Sequence, residues 1–292
     1  MTAFYPAIFV FLWATGFLGA KLSAPYADPL AFLALRFAIV SAILTSVVIL
    51  WRLKWPTPRQ AGNAMIAGML MQGLYLGGVF WAIDKGMPAG ISALIVGLQP
   101  ILTALLARPF LGEPIILRHW LGLGIGLAGL VLVLGPKLEF GGEGITPATI
   151  LANLIGVIAI TIGSIWQKKT AGNLDTRVDG AFQFAAGSAI VAIGAYFTES
   201  FTYIWHPELI FALVWLVLVL SIGAITLYLI MLRQGEVSKV ATLFYLVPAV
   251  AAFLGWVIFD ESLTAVQMAG MAITVAAVAL VTKVKAAKSS DA

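Results

Sequence analysis

One charged side chain lies well inside a long apolar stretch of the sequence: Arg36, in LAFLALRFAIV (30–40). A guanidinium group can bind a carboxylate through two parallel hydrogen bonds. A charge at this depth costs at least about 2.5–3.5 kcal/mol on insertion scales, so it needs compensation. Arginine near a helix end can also extend to the membrane surface. From the sequence alone we favour this structural role for Arg36, with Asp28 or Asp84 as a partner, over carboxylate binding.

Polar but uncharged side chains recur in the other apolar stretches. In lipid such side chains face neighbouring helices or a wet cavity, and for any one of them interhelical contact is an adequate explanation. Together they predict a cavity that is polar, nearly uncharged and partly aromatic, which suits a small zwitterionic or amphipathic solute. The predicted substrate-binding residues are Trp13, Arg36, Gln72, Tyr75, Gln99, Thr161, Ser164, Tyr228 and Tyr245.

Several other chemistries lack the residues they need. The chain has no cysteine, and its two histidines, His119 and His206, are far apart, so neither thiol chemistry nor a zinc site is expected. No Ser–His–Asp set, paired carboxylate or acid lies clearly within an apolar stretch, which argues against an enzyme and against a buried proton relay. The pattern GIGLAG (124–129) lies in an apolar stretch, where close helix packing explains it better than dinucleotide binding. The sequence predicts no catalytic residue, metal or cofactor.

Composition identifies the environment of these residues as a lipid bilayer. Of 292 residues, 61% are hydrophobic and only 10% are charged, whereas a soluble domain has about 25% charged residues. Apolar runs of about 20 residues predict an all-α integral membrane fold, because open strands would leave backbone groups unpaired in lipid. The ten predicted spans are 4–21, 30–51, 61–83, 88–108, 118–134, 148–166, 180–198, 209–231, 237–259 and 263–282.

Basic residues between the spans predict the orientation. With a cytoplasmic N-terminus, thirteen lysines and arginines fall inside, and only Lys21, Lys85 and Lys137 fall outside. The positive-inside rule then places both termini in the cytoplasm of a bacterial-type inner membrane. The net charge of +4 therefore reflects topology, and no nucleic-acid partner is expected.

A repeated spacing divides the chain into halves. Pro100 precedes Glu113 by thirteen positions, and Pro248 precedes Glu261 by the same number. The segments TGFLGAK (15–21) and IGSIWQK (162–168) match as well, which gives a period of about 148 residues. Each glutamate comes just before a helix, where an acid can cap the helix N-terminus.

This period predicts two five-helix repeats, residues 1–146 and 147–292. Because five is an odd number, the second repeat must enter the membrane from the opposite side, as in inverted-repeat transporters. Pro100 and Pro248 lie in mid-span, where proline bends a helix. We interpret them as a pair of hinges or gates; fixed kinks needed only for packing are the alternative.

The sequence resembles the EamA-type, ten-span members of the drug/metabolite transporter superfamily over essentially its whole length. The resemblance is carried by FLWATGF (11–17), ALRFAIV (34–40), LQPILTALLARPFLGEP (98–114) and LVPAVAAFLGWVIFDES (246–262). Within the superfamily it is similar to the YddG-like amino-acid exporters. Tyr75 matches a tyrosine of that branch, whereas Gln99 and the region of Thr161 depart from its tryptophans, so a range broader than aromatic amino acids is implied.

The pattern and the resemblance predict a secondary transporter that exports amino acids or related small metabolites by alternating access, through facilitated diffusion or exchange. Transport of drugs, quaternary ammonium compounds or sugar-like metabolites is the alternative. A channel or a membrane-bound lipid enzyme fits less well, since the repeat favours two gates and the sequence offers no catalytic set. The expected partners are a small-molecule substrate and the bilayer. The oligomeric state stays open, and a monomer is compatible with the sequence.

Overall fold

A computed structural model describes residues 4–137, 144–259 and 262–282. Within these residues ten helices are long and apolar enough to cross a membrane, which confirms the predicted all-α architecture. Glu261, Lys283, Lys285 and Lys288, on which the spacing and orientation predictions partly rest, lie outside the described residues. We number the helices α1 (Tyr5–Ser23), α2 (Pro29–Leu50), α3 (Pro58–Asp84), α4 (Ala89–Leu111), α5 (Leu117–Leu134), α6 (Pro147–Thr170), α7 (Thr176–Thr198), α8 (Pro207–Gln234), α9 (Val237–Ile258) and α10 (Ala265–Thr282).

Helices at equivalent positions of the two repeats pack against each other. α2 packs along α7, and α5 packs along α10. The other main contacts come in matching pairs, because α3 packs on α6 as α8 packs on α1. The fold is therefore two inverted five-helix repeats around a common two-fold axis. The division at residues 146 and 147 stays a prediction; Thr146 is the N-cap of α6.

The GIGLAG pattern lies where α5 and α10 approach most closely. A Cβ atom on Gly129 would lie 2.8 Å from Cγ2 of Thr274 and 3.0 Å from the carbonyl oxygen of Gly270. No side chain fits into that space. Close packing against α10 thus explains Gly129, and the ring of Tyr245 explains Gly126, whereas a Cβ atom on Gly124 would meet nothing within 4 Å.

Two helices contain wide turns at equivalent positions. Residues Met69–Leu74 of α3 and Leu216–Ala224 of α8 are π-helical. There the amide groups of Tyr75 and Ile225 bond to carbonyls five residues back, at Leu70 and Leu220. Such turns are rare and occur frequently at functional sites.

Two other helices are irregular near the prolines predicted as hinges. α4 is interrupted between Val96 and Gln99, just before Pro100. α9 contains a 3₁₀ turn over Leu243–Tyr245, just before Pro248. Both prolines thus follow a break in their helix, and their hinge role stays a prediction.

The connections between helices form two opposite faces of the bundle. We call the face with connections 24–28, 85–88 and 199–206 the mouth face, because a cavity opens there. The opposite one, with connections 51–57, 112–116, 171–175 and 235–236, we call the sealed face. On the mouth face, Ala27 forms an isolated β-bridge with Tyr203, which ties the first connection to the seventh.

Candidate substrate cavity

A cavity of about 200 Å³ lies between α1, α2, α3 and α8 and opens on the mouth face. Its rim includes Ala24, Ala27 and Asp84, and its deeper end includes Trp13 and Arg36. At 1.5 Å per residue, the deeper residues lie about 10–15 Å along their helices from the mouth face. The apolar walls are formed by Leu76, Val79, Phe80, Leu220 and Ile225.

Arg36 lies at the deep end of this cavity and is only 1% exposed. Its Nε donates a hydrogen bond to Oγ of Ser221 at 2.9 Å. Its Nη2 is buried and has no hydrogen-bond partner among the described residues. The back of the guanidinium rests on Phe37, with the ring centroid 5.4 Å from Cζ. Arg36 thus presents a donor group that is already desolvated.

The structural role that we favoured for Arg36 is wrong. Asp28 instead accepts hydrogen bonds from the backbone amides of Ser200 and Thr202, at 3.2 and 2.9 Å. Asp84 pairs with the neighbouring Lys85 at 3.0 Å. The side chain of Arg36 does not reach the surface either, because packing between α2 and α8 encloses it.

Trp13 forms the boundary between the cavity and an aromatic plug beneath it. The plug consists of Phe9, Trp13, Tyr228 and Phe244, whose ring centroids are 5.1 to 5.9 Å apart. Oη of Tyr228 and Oγ of Ser164 are hydrogen-bonded at 2.7 Å. Aromatic pairs at these separations attract beyond their buried area. The plug closes the path from the cavity toward the sealed face.

Below the plug, a polar network joins α6, α7 and α8. Arg233 forms a salt bridge with Asp179, which is 1% exposed and also accepts a hydrogen bond from Gln167. Nζ of Lys168 donates to the carbonyl oxygens of Arg233 and Gly235, each at 2.8 Å. We call these residues the sealed-face network. Their contacts hold the three helices together on the side away from the cavity mouth.

Glu113 adds a fourth tie on the sealed face. Its carboxylate accepts hydrogen bonds from the backbone amides of Val237 and Ser238, at 2.6 and 3.1 Å. It also accepts from Oγ of Ser238 at 2.6 Å. The capping role expected for Glu113 is therefore present, but the helix that it caps is α9 and not the neighbouring α5.

On the mouth face Glu199 caps the helix that carries Arg36. Its carboxylate accepts hydrogen bonds from the backbone amides of Leu30 and Ala31, at 2.9 and 2.7 Å. Burial raises the pKa of Glu199, and the charge of Asp28 raises it further, while the two backbone hydrogen bonds oppose the shift. The start of α2 is thus fixed to the end of α7.

The predicted site residues fall into three groups. Trp13, Arg36 and Tyr75 line the cavity. Tyr228 belongs to the plug, where its ring contacts Trp13, and Ser164 is hydrogen-bonded to Tyr228. The others are buried outside this cavity, and their role in substrate binding stays a prediction: Gln72, Gln99, Thr161 and Tyr245.

The residues outside the cavity have identifiable surroundings. Thr161 donates to the carbonyl of Val157 in its own helix at 2.7 Å. The ring of Tyr245 lies against Gly126, where a Cβ atom would be 2.6 Å from it. Gln72 misses the cavity although Tyr75 lines it, because the wide turn between them changes the helical rotation on which a shared face depends.

Sequence reasoning missed other residues of the cavity. Leu220 lines the cavity, and Ser221 next to it orients Arg36; both belong to the wide turn of α8. Leu76 and Phe80 of α3 line the cavity next to the predicted Tyr75. The only sequence signal for Ser221 was a small polar residue within an apolar run.

Ten described helices in two inverted repeats, with a cavity that opens on one face, form an architecture that is found in membrane transporters. The chain belongs to the EamA-like transporter family, which matches residues 1–135 and 147–283. The two matches cover the two halves of the bundle.

Named relatives are similar over nearly the whole chain. "Uncharacterized transporter YvbV" of Bacillus subtilis (strain 168) is 29% identical, over 99% of this chain and 94% of the relative. "Uncharacterized inner membrane transporter YedA" of Escherichia coli (strain K12) is 26% identical, over 93% and 87%. "Probable amino-acid metabolite efflux pump" of the same strain is 24% identical, over 89% and 88%. A solved protein crystal structure shares the fold, with a TM-score of 0.79, 23% identity and 96% of each chain covered.

Proposed function

We propose that the protein exports amino acids or related small metabolites across a bacterial-type inner membrane by alternating access. The observation that carries this proposal is the cavity itself. It opens on one face, ends at a buried guanidinium and is closed below by the aromatic plug. A solute that enters from the mouth face reaches Arg36 but cannot pass further in this conformation.

The proposed orientation places the mouth face outside. Lys21 and Lys85 lie at the mouth face, whereas Lys168 and Arg233 lie at the sealed face with most of the other basic residues. Basic residues favour the cytoplasmic side. The conformation described here is then outward-open, with both termini in the cytoplasm.

The substrate class follows from the lining and from one relative. The cavity is small and mostly apolar, and the guanidinium at its deep end disfavours quaternary ammonium compounds by charge repulsion. Polyols and sugars need many hydrogen-bonding groups, which these walls do not offer. The relative named as an amino-acid metabolite efflux pump supports the same class.

The proposed mode is facilitated diffusion or exchange without catalysis. Of the acids in the described helices, Asp84 lines only the rim of the cavity and is paired with Lys85. The buried Asp179 is paired with Arg233 on the sealed face and does not line the cavity. Exchange between the two conformations requires the plug and the sealed-face network to open while the mouth closes. The inverted repeats give both conformations similar contacts, which keeps their energies close.

Counterflow in proteoliposomes tests the proposal. Purified protein is reconstituted with a panel of amino acids inside, and entry of each labelled amino acid is measured; quaternary ammonium compounds and sugars form the comparison panel. We expect saturable entry of amino acids that is accelerated by internal amino acid and needs no pH gradient. Entry of only the comparison compounds would overturn the substrate class, and strict dependence on a pH gradient would overturn the facilitative mode.

A further inference from the structure

We propose that Arg36 recognises the carboxylate of the substrate, and that the cavity walls select α-amino acids with apolar side chains. The inference rests on the proposed function, since it names the substrate class of the same cavity. It follows from the charge balance around Arg36, from the hydrogen bonds that its guanidinium makes and lacks, and from the chemistry of the surrounding walls.

No acid among the described residues forms a salt bridge with Arg36. The acids near the mouth face have other partners: Asp28 binds two backbone amides, Asp84 binds Lys85, and Glu199 caps α2. Moving an isolated ion out of water is costly unless it is paired. An anionic group that enters the cavity would supply the missing partner and would form a charge-assisted hydrogen bond, which is stronger than a neutral one.

Ser221 holds the guanidinium of Arg36 by one hydrogen bond. It accepts the hydrogen bond of Nε at 2.9 Å, while Nη2 is left without a partner in the described part of the chain. Phe37 covers one face of the group. Arg36 lines the cavity and its guanidinium has no acidic partner among the described residues, so it is the charged group that a carboxylate would meet there; Nη2 itself is covered in this conformation. Ser221 is thus a positioning residue, because it acts on the substrate through Arg36.

The cavity walls next to Arg36 determine which amino-acid side chains can bind. Leu76, Val79 and Phe80 of α3 line the cavity together with Leu220 and Ile225 of α8. An apolar side chain gains roughly 25 cal/mol for each Å² of its surface that such walls remove from water. A polar side chain would lose its hydration there without new partners. A branched aliphatic amino acid therefore fits better than a charged one.

Three probes of nearly equal shape separate the contributions. L-leucine has the carboxylate and the ammonium group, L-leucinamide lacks the carboxylate, and 4-methylpentanoate lacks the ammonium group. Their binding to the full-length protein in detergent is measured by titration calorimetry. We expect L-leucine and 4-methylpentanoate to bind, and L-leucinamide to bind about 10- to 100-fold more weakly, as for the loss of one hydrogen bond to a charged group.

Variants assign this selectivity to Arg36. In Arg36→Gln we expect L-leucine to bind no better than L-leucinamide, while Arg36→Lys keeps the charge and restores part of the difference. Ser221→Ala should weaken L-leucine binding by about tenfold, as for one hydrogen bond to a charged group. It should leave a preference for the carboxylate. A purely structural role of Arg36 would weaken both probes equally. The comparison of L-leucine with L-leucinamide on the wild-type protein needs no variant, so it tests carboxylate recognition even if Arg36→Gln does not fold.

The outcomes separate this inference from the proposed function. Equal binding of L-leucine and L-leucinamide would overturn carboxylate recognition, whatever the counterflow assay shows for transport. Binding of 4-methylpentanoate without binding or counterflow of L-leucine would support the anion site and overturn the amino-acid assignment. Binding of none of the three would overturn the inference, and counterflow of other amino acids would still support export.

Discussion

Ser41 and Ser188 make the same hydrogen bond in opposite directions across the contact between α2 and α7. Oγ of Ser41 donates to the carbonyl of Ala181 at 2.9 Å, and Oγ of Ser188 donates to the carbonyl of Ala34 at 2.8 Å. The two donors are 147 positions apart, and so are the two acceptors. The repeat that is visible as spacing in the sequence is thus present in individual bonds around the two-fold axis.

Equivalent bonds should contribute equally to stability. We expect Ser41→Ala and Ser188→Ala to lower the free energy of unfolding by similar amounts, about 0.6 kcal/mol each, the average for interhelical hydrogen bonds in a membrane protein. Unfolding in detergent micelles measures both. Ser46→Ala is the matched control, because Ser46 bonds only to Ala42 of its own helix, at 2.8 Å. A loss confined to one of the two serines would contradict the equivalence.

The orientation can be measured with single cysteines, because the chain has none of its own. Ala24 is exposed on the mouth face, and Asn173 is exposed on the sealed face. In intact cells we expect an impermeant maleimide to label Ala24→Cys and to leave Asn173→Cys unlabelled until the cells are permeabilised. The reverse pattern would place the mouth face in the cytoplasm, and labelling of both in intact cells would contradict the two-sided topology.

The sealed-face network should stabilise the conformation described here. Asp179→Asn leaves the charge of Arg233 without its partner, so we expect a loss of about 3–5 kcal/mol in the free energy of unfolding. In the double variant with Arg233→Gln, part of that loss should be recovered. Asp175→Asn is the control, since Asp175 pairs with Arg177 near the surface. Equal effects of Asp179→Asn and Asp175→Asn would contradict the role of the network.

The aromatic plug should prevent leakage through the bundle. Phe244→Ala removes a ring that contacts Phe9, Trp13 and Tyr228, and we expect it to lower stability by about 3–5 kcal/mol. We also expect preloaded amino acid to leave proteoliposomes at a rate that does not saturate with its internal concentration, whereas efflux through the wild type saturates. Tyr228→Phe is the control: it removes the hydrogen bond to Ser164 and keeps the ring. Efflux through Phe244→Ala that still saturates would exclude the plug as a barrier.

Asp175 should make stability depend on pH in acid. Its hydrogen bonds from Arg177 lower its pKa from the ordinary value of 3.8. A carboxyl whose folded pKa is depressed contributes stability above its unfolded pKa, and the contribution is lost as pH falls through the folded pKa. We therefore expect the free energy of unfolding of the wild type to fall more than that of Asp175→Asn when the pH is lowered from about 6 to about 3. Unfolding titrations in detergent at several pH values measure both. Asparagine caps helices as well as aspartate, so the comparison isolates the charge. Parallel pH profiles would contradict this assignment.

The sequence was sufficient for the fold because hydropathy alone marks spans of about 20 residues. Trp13 and Tyr75, which it listed as site residues, do line the cavity, whereas for Arg36 it favoured a role at the membrane surface. It could not identify Ser221 as the partner of Arg36, since the two are 185 positions apart and apolar runs do not say which helices are neighbours. It listed Gln72 and Tyr75 together as site residues, but only Tyr75 lines the cavity. The amide of Tyr75 bonds five residues back instead of four, and sequence patterns of a regular helix do not reveal this wide turn between the two residues.

The wide turns of α3 and α8 have a consequence for how the two repeats line the cavity. They lie 147 residues apart, in two helices that both contribute lining residues. Each widens the helix by one residue within a turn, so the side chains that follow it are rotated relative to those of an unbroken α-helix. Both repeats therefore set the angle of their lining residues with the same local device, near the middle of a membrane-spanning helix.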